Sequence, residues 1–219
     1  NLTDYYIFNI INAHDIINNL LEFSNISSRD FLQIYNTMNF TDIKRNIFSI
    51  ENKSIKNLVE KIKLKKSNLF VSLYYTNFFH IVNIVNKLSP LICGIVINSN
   101  IIEQFTDEKT ELLKKLADEK KICIIDNIQV VFNNRNLVIK LLRKSFALSD
   151  IVTVRFNNAD ELKIFKHFSL DLLKQMDDGK KGFIMNMKGQ GYNNSFINQK
   201  VLELCSEYKK YITGILNNK

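Results

Sequence analysis

The sequence predicts an α/β fold assembled from parallel β/α units, and three observations carry that expectation. Six short apolar runs recur between residue 69 and residue 216. Stretches with helical spacing of apolar residues separate them, such as Thr110–Leu116 and Gln199–Tyr208. The runs are rich in Ile and Val on successive positions rather than every second one. Parallel neighbours need a crossover of helical length, and strands apolar on both faces belong to a sheet covered on both sides. An open doubly wound sheet and a (β/α) barrel both satisfy this pattern.

Residues 4–66 read as helices. Apolar residues recur at helical intervals through Tyr5–Phe8, Ile10-Ile11, Ile16-Ile17 and Leu20-Leu21. Ser27–Asp30 offers a capping start for a second helix carrying Phe31, Leu32, Ile34, Tyr35 and Met38. A third begins near Ser54 with Ile55, Leu58, Val59 and Ile62 on one face and Lys56, Lys61, Lys63, Lys65 and Lys66 on the other. That lysine cluster is the densest basic feature of the chain. It reads as a solvated helix face or as a contact for a phosphate backbone or acidic partner. From residue 68 the texture changes, and the expected strands are 69–74, 91–97, 122–125, 150–155, 182–186 and 211–216. The expected division is a helical segment over 1–66 and a barrel-like or sheet domain over 67–219.

Composition narrows the function classes. The 219 residues are 46% hydrophobic and 24% charged, enough for a sizeable core, and one Pro with six Gly argues against low-complexity linkers. No apolar run reaches the roughly 18 to 20 residues of a membrane span, no signal-peptide pattern stands at Asn1, and no membrane role is expected. A start without Met fits a piece processed or excised from a longer chain. Cys93, Cys123 and Cys205 lack metal-ligand spacing, and the first two sit inside apolar runs where a thiol acts as a small hydrophobe. Reduced thiols imply an intracellular, cytoplasmic setting or a virion. No metal and no cofactor is expected. His14, His80 and His167 have no partners at catalytic spacing. The formal charge is +8, with Lys, Asn, Ile and Phe abundant. An AT-rich coding sequence, as in some viral or parasite genomes, explains that bias, so nucleic-acid binding needs a clustered basic face as well.

The order of short motifs resembles the orotidine 5′-monophosphate decarboxylase family, especially the decarboxylase half of eukaryotic UMP synthase. SNLFVSLYY opens the domain at Ser67. SPLICGIVINSNIIEQFTDEKTELLKKLADEKKICIID follows, then ALSDIVTV, KGFIMNM and YITGIL. Pro90, Ile92, Cys93, Ile101, Phe105 and Thr106 fall in register with the family pattern. The match is looser over 150–216. The resemblance implies a TIM-type (β/α) barrel, incomplete here with about six strands and preceded by the N-terminal helical segment. It also implies two further strands with a phosphate-binding loop beyond Leu216. Truncation, the N-terminal helices or a partner would account for the gap.

The resemblance further implies a lysine held between aspartates to protonate a carbanion-like centre. This sequence departs from that at every such position. The first strand's ligand-binding Asp becomes Tyr74. The Lys and His of the second strand become Val96 and Asn98, and the third strand's charged set becomes Asn127, Gln129 and Phe132. A one-residue shift offers Asp126 as a weak ligand-binding candidate, with Lys188 as another. The expectation is a catalytically inactive decarboxylase-like pseudoenzyme kept as a structural or protein-binding subunit, with a protein partner or self-association through the helical segment and the open barrel edge. The alternatives are an enzyme for a phosphate-bearing ligand with an altered site, and a nucleic-acid-binding module using the lysines of 53–66.

Overall fold

The computed structural model of the chain describes residues 9–12, 52–128, 135–156, 158–175, 180–187 and 192–217. Its elements, in chain order, are β1 (Asn9–Asn12), α1 (Lys53–Lys65), β2 (Leu69–Leu73), α2 (Phe78–Leu88), β3 (Gly94–Ile97), α3 (Asp107–Lys120), β4 (Cys123–Asp126), α4 (Arg135–Leu148), β5 (Ile151–Arg155), α5 (Ala159–Gln175), β6 (Gly182–Met187), α6 (Tyr192–Glu207) and β7 (Ile212–Asn217). The seven strands form one sheet in the order β1 to β7, and every neighbouring pair is parallel. All six expected strands are present. A seventh, β1, corrects the helical reading at residues 9–12, where Asn9–Asn12 pairs with Leu69–Ser72. A short run such as Asn-Ile-Ile-Asn has no decisive period, so the open edge of β2 sets its conformation. The other helical assignments ahead of residue 52 lie outside the described residues.

The position of the helices decides between the two architectures. One side of the sheet packs against α2 to α6 in two clusters. Val71, Ile95 and Ile124 meet Ile81, Val85 and Leu113, while Val152, Phe183 and Met185 meet Val138, Phe146, Phe165 and Val201. The opposite side carries Phe70, Cys93, Val96, Cys123, Ile125, Ile151 and Ile184, joined by Leu58 and Ile62 of α1 and, among the described residues, by no other helix. A doubly wound sheet has crossover helices on both faces. Sequential parallel strands with these helices on one face follow the singly wound, TIM-type (β/α) plan, in which the bare face is the barrel interior. β1 and β7 form the two margins of the sheet.

Helix α1 lies across the end where the strands begin. Ile55, Leu58, Val59 and Ile62 are buried, each stabilising the fold by about 1.5 to 3 kcal/mol. Polar groups fix its position. The Asn52 side chain accepts from the Ile55 amide at 3.0 Å, capping the helix, while its own amide nitrogen donates to the Lys209 and Ile212 carbonyls at 2.6 and 3.1 Å. Ser54 and Thr213 share a hydrogen bond of 2.6 Å between their hydroxyls. At the other end Lys61 donates to the Ile122 carbonyl and to Asp150, both at 3.0 Å, and Lys65 donates to the Ser89 carbonyl at 2.8 Å. These bonds correct the reading of the whole lysine face as solvated. Lys63 and Lys66 are exposed, Lys56 is half-buried, and Lys61 and Lys65 are turned into the barrel floor.

Asp150 is the centre of that floor. Lys61 and Lys114 approach its two oxygens at 3.0 and 3.3 Å, and the Ile124 amide donates to it at 3.0 Å. Burial alone pushes its carboxyl up, but the two ammonium groups and the amide outweigh burial and hold its pKa below the ordinary value. Nearby, Cys93, Cys123 and Cys205 are buried free thiols. Burial pushes the Cys93 thiol up to about 12 against the weaker pull of its own backbone amide.

Candidate binding site at the barrel mouth

The strand ends opposite α1 form the mouth of the barrel. Alternation along each strand sets which side chains reach it. Val96 is interior and Ile97 faces the helices, so Asn98 returns to the interior side. By the same count Tyr74 follows Phe70 and Ser72, and Asn127 follows Cys123 and Ile125. The register pairs Ser72 with Val96 and Val96 with Ile125, so these strands reach the mouth level together. On the far strands Arg155 pairs with Asn186, two residues above the Thr153–Ile184 pair.

On β2 to β4 the described mouth groups are neutral and bonded to one another. Asn127 Nδ2 donates to Tyr74 Oη at 2.7 Å, although β3 lies between the strands that carry them. The Tyr74 side chain is nonetheless half open, at 51% exposure. Asn98 Oδ1 accepts from the Asn100 amide at 3.1 Å, and the Asn98 carbonyl accepts from Ile101, so Asn98 shapes its own turn. The Glu103 amide donates to the Thr76 carbonyl at 2.9 Å and ties the loops after β2 and β3 together. Thr106 then caps α3 by accepting from the Lys109 amide at 3.4 Å, and Phe105 packs on Phe78 with ring centres 6.0 Å apart. Below the mouth the interior is mainly Val96, Ile125 and Ile184.

By this alternation Tyr74, Val96, Asn98 and Asn127 all fall on the interior side. Gln129, Phe132, Lys188 and the Gly189–Gly191 turn lie outside the described residues. Asp126 does not reach the mouth, which corrects its placement as a ligand-binding candidate. It pairs in register with Ile97 and points towards α4, fully buried. Its oxygens accept from the Ser99 amide at 2.9 Å, the Ser99 hydroxyl at 2.7 Å and the Ser145 hydroxyl at 2.7 Å. Burial raises its pKa, and the bonds from Ser99 and Ser145 oppose that rise without cancelling it. A carboxylate so enclosed positions the loop after β3 against α4. We expect Asp126→Ala to lower stability by about 1 to 3 kcal/mol, because the buried Ser99 and Ser145 donors lose their acceptor. Asp126→Asn, which keeps an acceptor, should recover most of it in urea denaturation.

Arg155 and Asn186 escaped the sequence reading. The signal was present in the alternation, because Ile151 and Thr153 are buried interior residues and the next interior position is Arg155. Most of the exposed large apolar residues among those described also gather at this end. Tyr74, Phe79, Ile101, Leu137 and Phe196 are each exposed and lie just after a strand or early in the helix that follows one. Among the described residues no group of three His, Cys, Asp or Glu is placed to hold a metal. No helix there is long and apolar enough to cross a membrane.

The fold and mouth define an α/β protein of the singly wound parallel type whose rim is neutral and hydrogen-bonded between Tyr74 and Asn127 and carries Arg155 on the far strands. Neither family models nor curated proteins match the sequence. Among solved structures it is similar to a crystal structure of a candidate orotidine 5′-phosphate decarboxylase from Streptomyces avermitilis. The identity is 10% and the TM-score 0.48, over 80% of this chain and 72% of that one.

Proposed function

We propose that this chain is a decarboxylase-like barrel without turnover, kept as a structural or protein-binding subunit whose contact surface includes the mouth rim. The carrying observation is Tyr74. It occupies the position where the family resemblance calls for a carboxylate, and its hydroxyl is bonded to Asn127, which replaces another charged group. Slow decarboxylations require on the order of 20 kcal/mol of transition-state stabilisation. Tyr, Val and Asn at these positions supply neither a proton of suitable acidity nor a fixed charge to reach it. The exposed Tyr74, Phe79, Ile101 and Phe196 support a protein contact, because aromatic and apolar anchors dominate such surfaces.

Incubation of the purified chain with orotidine monophosphate is expected to release carbon dioxide no faster than the buffer does. Measured turnover that Asn127→Ala removes would overturn the reading. A second reading, an enzyme or binder for a phosphate-bearing ligand, is favoured by Arg155, an exposed cation at an interior strand position. Calorimetric titration with uridine monophosphate separates the two readings. Saturable binding lost in Arg155→Gln supports the ligand reading, and absence of heat supports the protein-binding one.

A further inference from the structure

Helix α4 differs from its neighbours in charge. Between Asn127 and Ser149 the chain has no Asp or Glu, and within that stretch α4 carries Arg135, Lys140, Arg143 and Lys144. The helices on either side mix both signs. On α3 Lys114 meets Asp118, and on α5 Lys163 meets Asp160. Lys144 is already engaged, since it donates to the Phe105 carbonyl at 3.2 Å and stands 5.6 Å from the centre of the Phe105 ring. Lys140 and Arg143 are exposed, and among the described residues neither makes an ion pair.

Helical spacing brings these two cations together. Val138, Leu142 and Phe146 form the buried face of α4. Asn136, Lys140 and Arg143 recur at intervals of four and three residues, which puts them in one stripe on the exposed face. With half-buried Ile139 they line an open groove of about 310 Å³. Lys140 and Arg143 are separated by about 4.5 Å along the helix axis, so their long side chains can converge on one group.

We propose that this groove on the outer face of α4 binds the phosphate of a small phosphorylated molecule. The site goes beyond the function proposed for the mouth and shares no residue with it. The Arg143 guanidinium offers a planar fork matched to two phosphate oxygens, and Lys140 adds a point charge. The Asn136 amide can donate to a hydroxyl of the organic part, and Ile139 gives that part an apolar contact. The volume is near the lower bound of small-molecule sites, about 300 Å³. A nucleic-acid backbone calls for cations repeated along a surface, and a protein segment for apolar or aromatic anchors at the centre. The groove has neither.

The test is calorimetric titration of the chain with glycerol 3-phosphate at constant ionic strength. Binding should be saturable. Lys140→Gln and Arg143→Gln should each weaken it by about tenfold to a hundredfold, as loss of a charged hydrogen-bond donor predicts. Arg143→Lys keeps the charge without the fork and should weaken it less than Arg143→Gln does. Lys115→Gln, at an exposed lysine of α3, and Arg155→Gln at the mouth should match the parent. Thermal unfolding verifies that each variant is folded, which the exposure of Lys140 and Arg143 favours. Absence of heat, or equal weakening by Lys115→Gln, overturns the proposal. Binding lost in Arg155→Gln but kept in Arg143→Gln assigns the phosphate to the mouth and overturns it too. Tighter binding of an oligoglutamate peptide than of glycerol 3-phosphate gives the groove to an acidic protein segment instead, with the same consequence.

Discussion

Asp150→Ala is expected to destabilise the fold by about 3 to 5 kcal/mol, the cost of removing one partner from a buried ion pair. The substitution leaves Lys61 and Lys114 facing each other, and it strips the Ile124 amide of its acceptor. The loss falls on the joint between α1 and the barrel floor. Denaturant melts should show a lower midpoint, and hydrogen exchange should rise first in Lys53–Lys65. An unchanged midpoint would mean that α1 is held by its apolar face alone. Acid has a related effect. The folded-state pKa of Asp150 lies below the unfolded value of about 3.8. Its contribution is therefore complete above that unfolded value and is lost as pH falls through the folded one. Asp126 acts with the opposite sign. Its folded pKa is raised, so the folded state is penalised once pH exceeds that value and relieved as pH falls towards 3.8. Stability should thus rise slightly on mild acidification and then fall, and the final fall should be shallower in Asp150→Ala.

The second large effect is expected at Gly94. A Cβ there would meet the Phe70 ring and stand 2.7 Å from the Cys123 carbonyl oxygen. The ring can turn only within a packed interior, and the carbonyl accepts no displacement without moving β4, because Gly94 pairs with Cys123 in register. Gly94→Ala should cost about 3 kcal/mol, the upper end of what overpacking a core produces. Combining it with Phe70→Leu removes one of the two obstacles. The double variant should be more stable than the sum of the single losses predicts. Strict additivity in urea melts would show that the backbone contact alone sets the cost.

Much of the fold was legible because it is written in local period. The apolar runs at 69–74, 91–97, 122–125, 150–155, 182–186 and 211–216 each overlap a strand, and the spacing of Ile55, Leu58, Val59 and Ile62 marked the buried face of α1. Motif order singled out Tyr74, Val96, Asn98 and Asn127, and the strand alternation puts them on the interior side. Two features were not. Four residues at 9–12 are too few to carry a period, and they became a strand only because β2 offers an edge. Asp126 stands at a strand end, as a mouth residue would, but one step of the alternation separates the interior from the helix layer. Counting from buried Ile125 settles that step, and Ser99 and Ser145 explain why a carboxylate is tolerated there.

The amino-acid sequence by itself determined the alternating elements, the apolar faces they bury and the uncharged side chains at the family-like positions, since each depends on neighbours within a few residues. Tertiary structure alone decided how the charges are shared. Lys61 meets Asp150 across 89 residues of chain, and that pairing withdraws a lysine from the basic face. Charge acts through space, so its partners follow from the course of the chain, which no local pattern encodes.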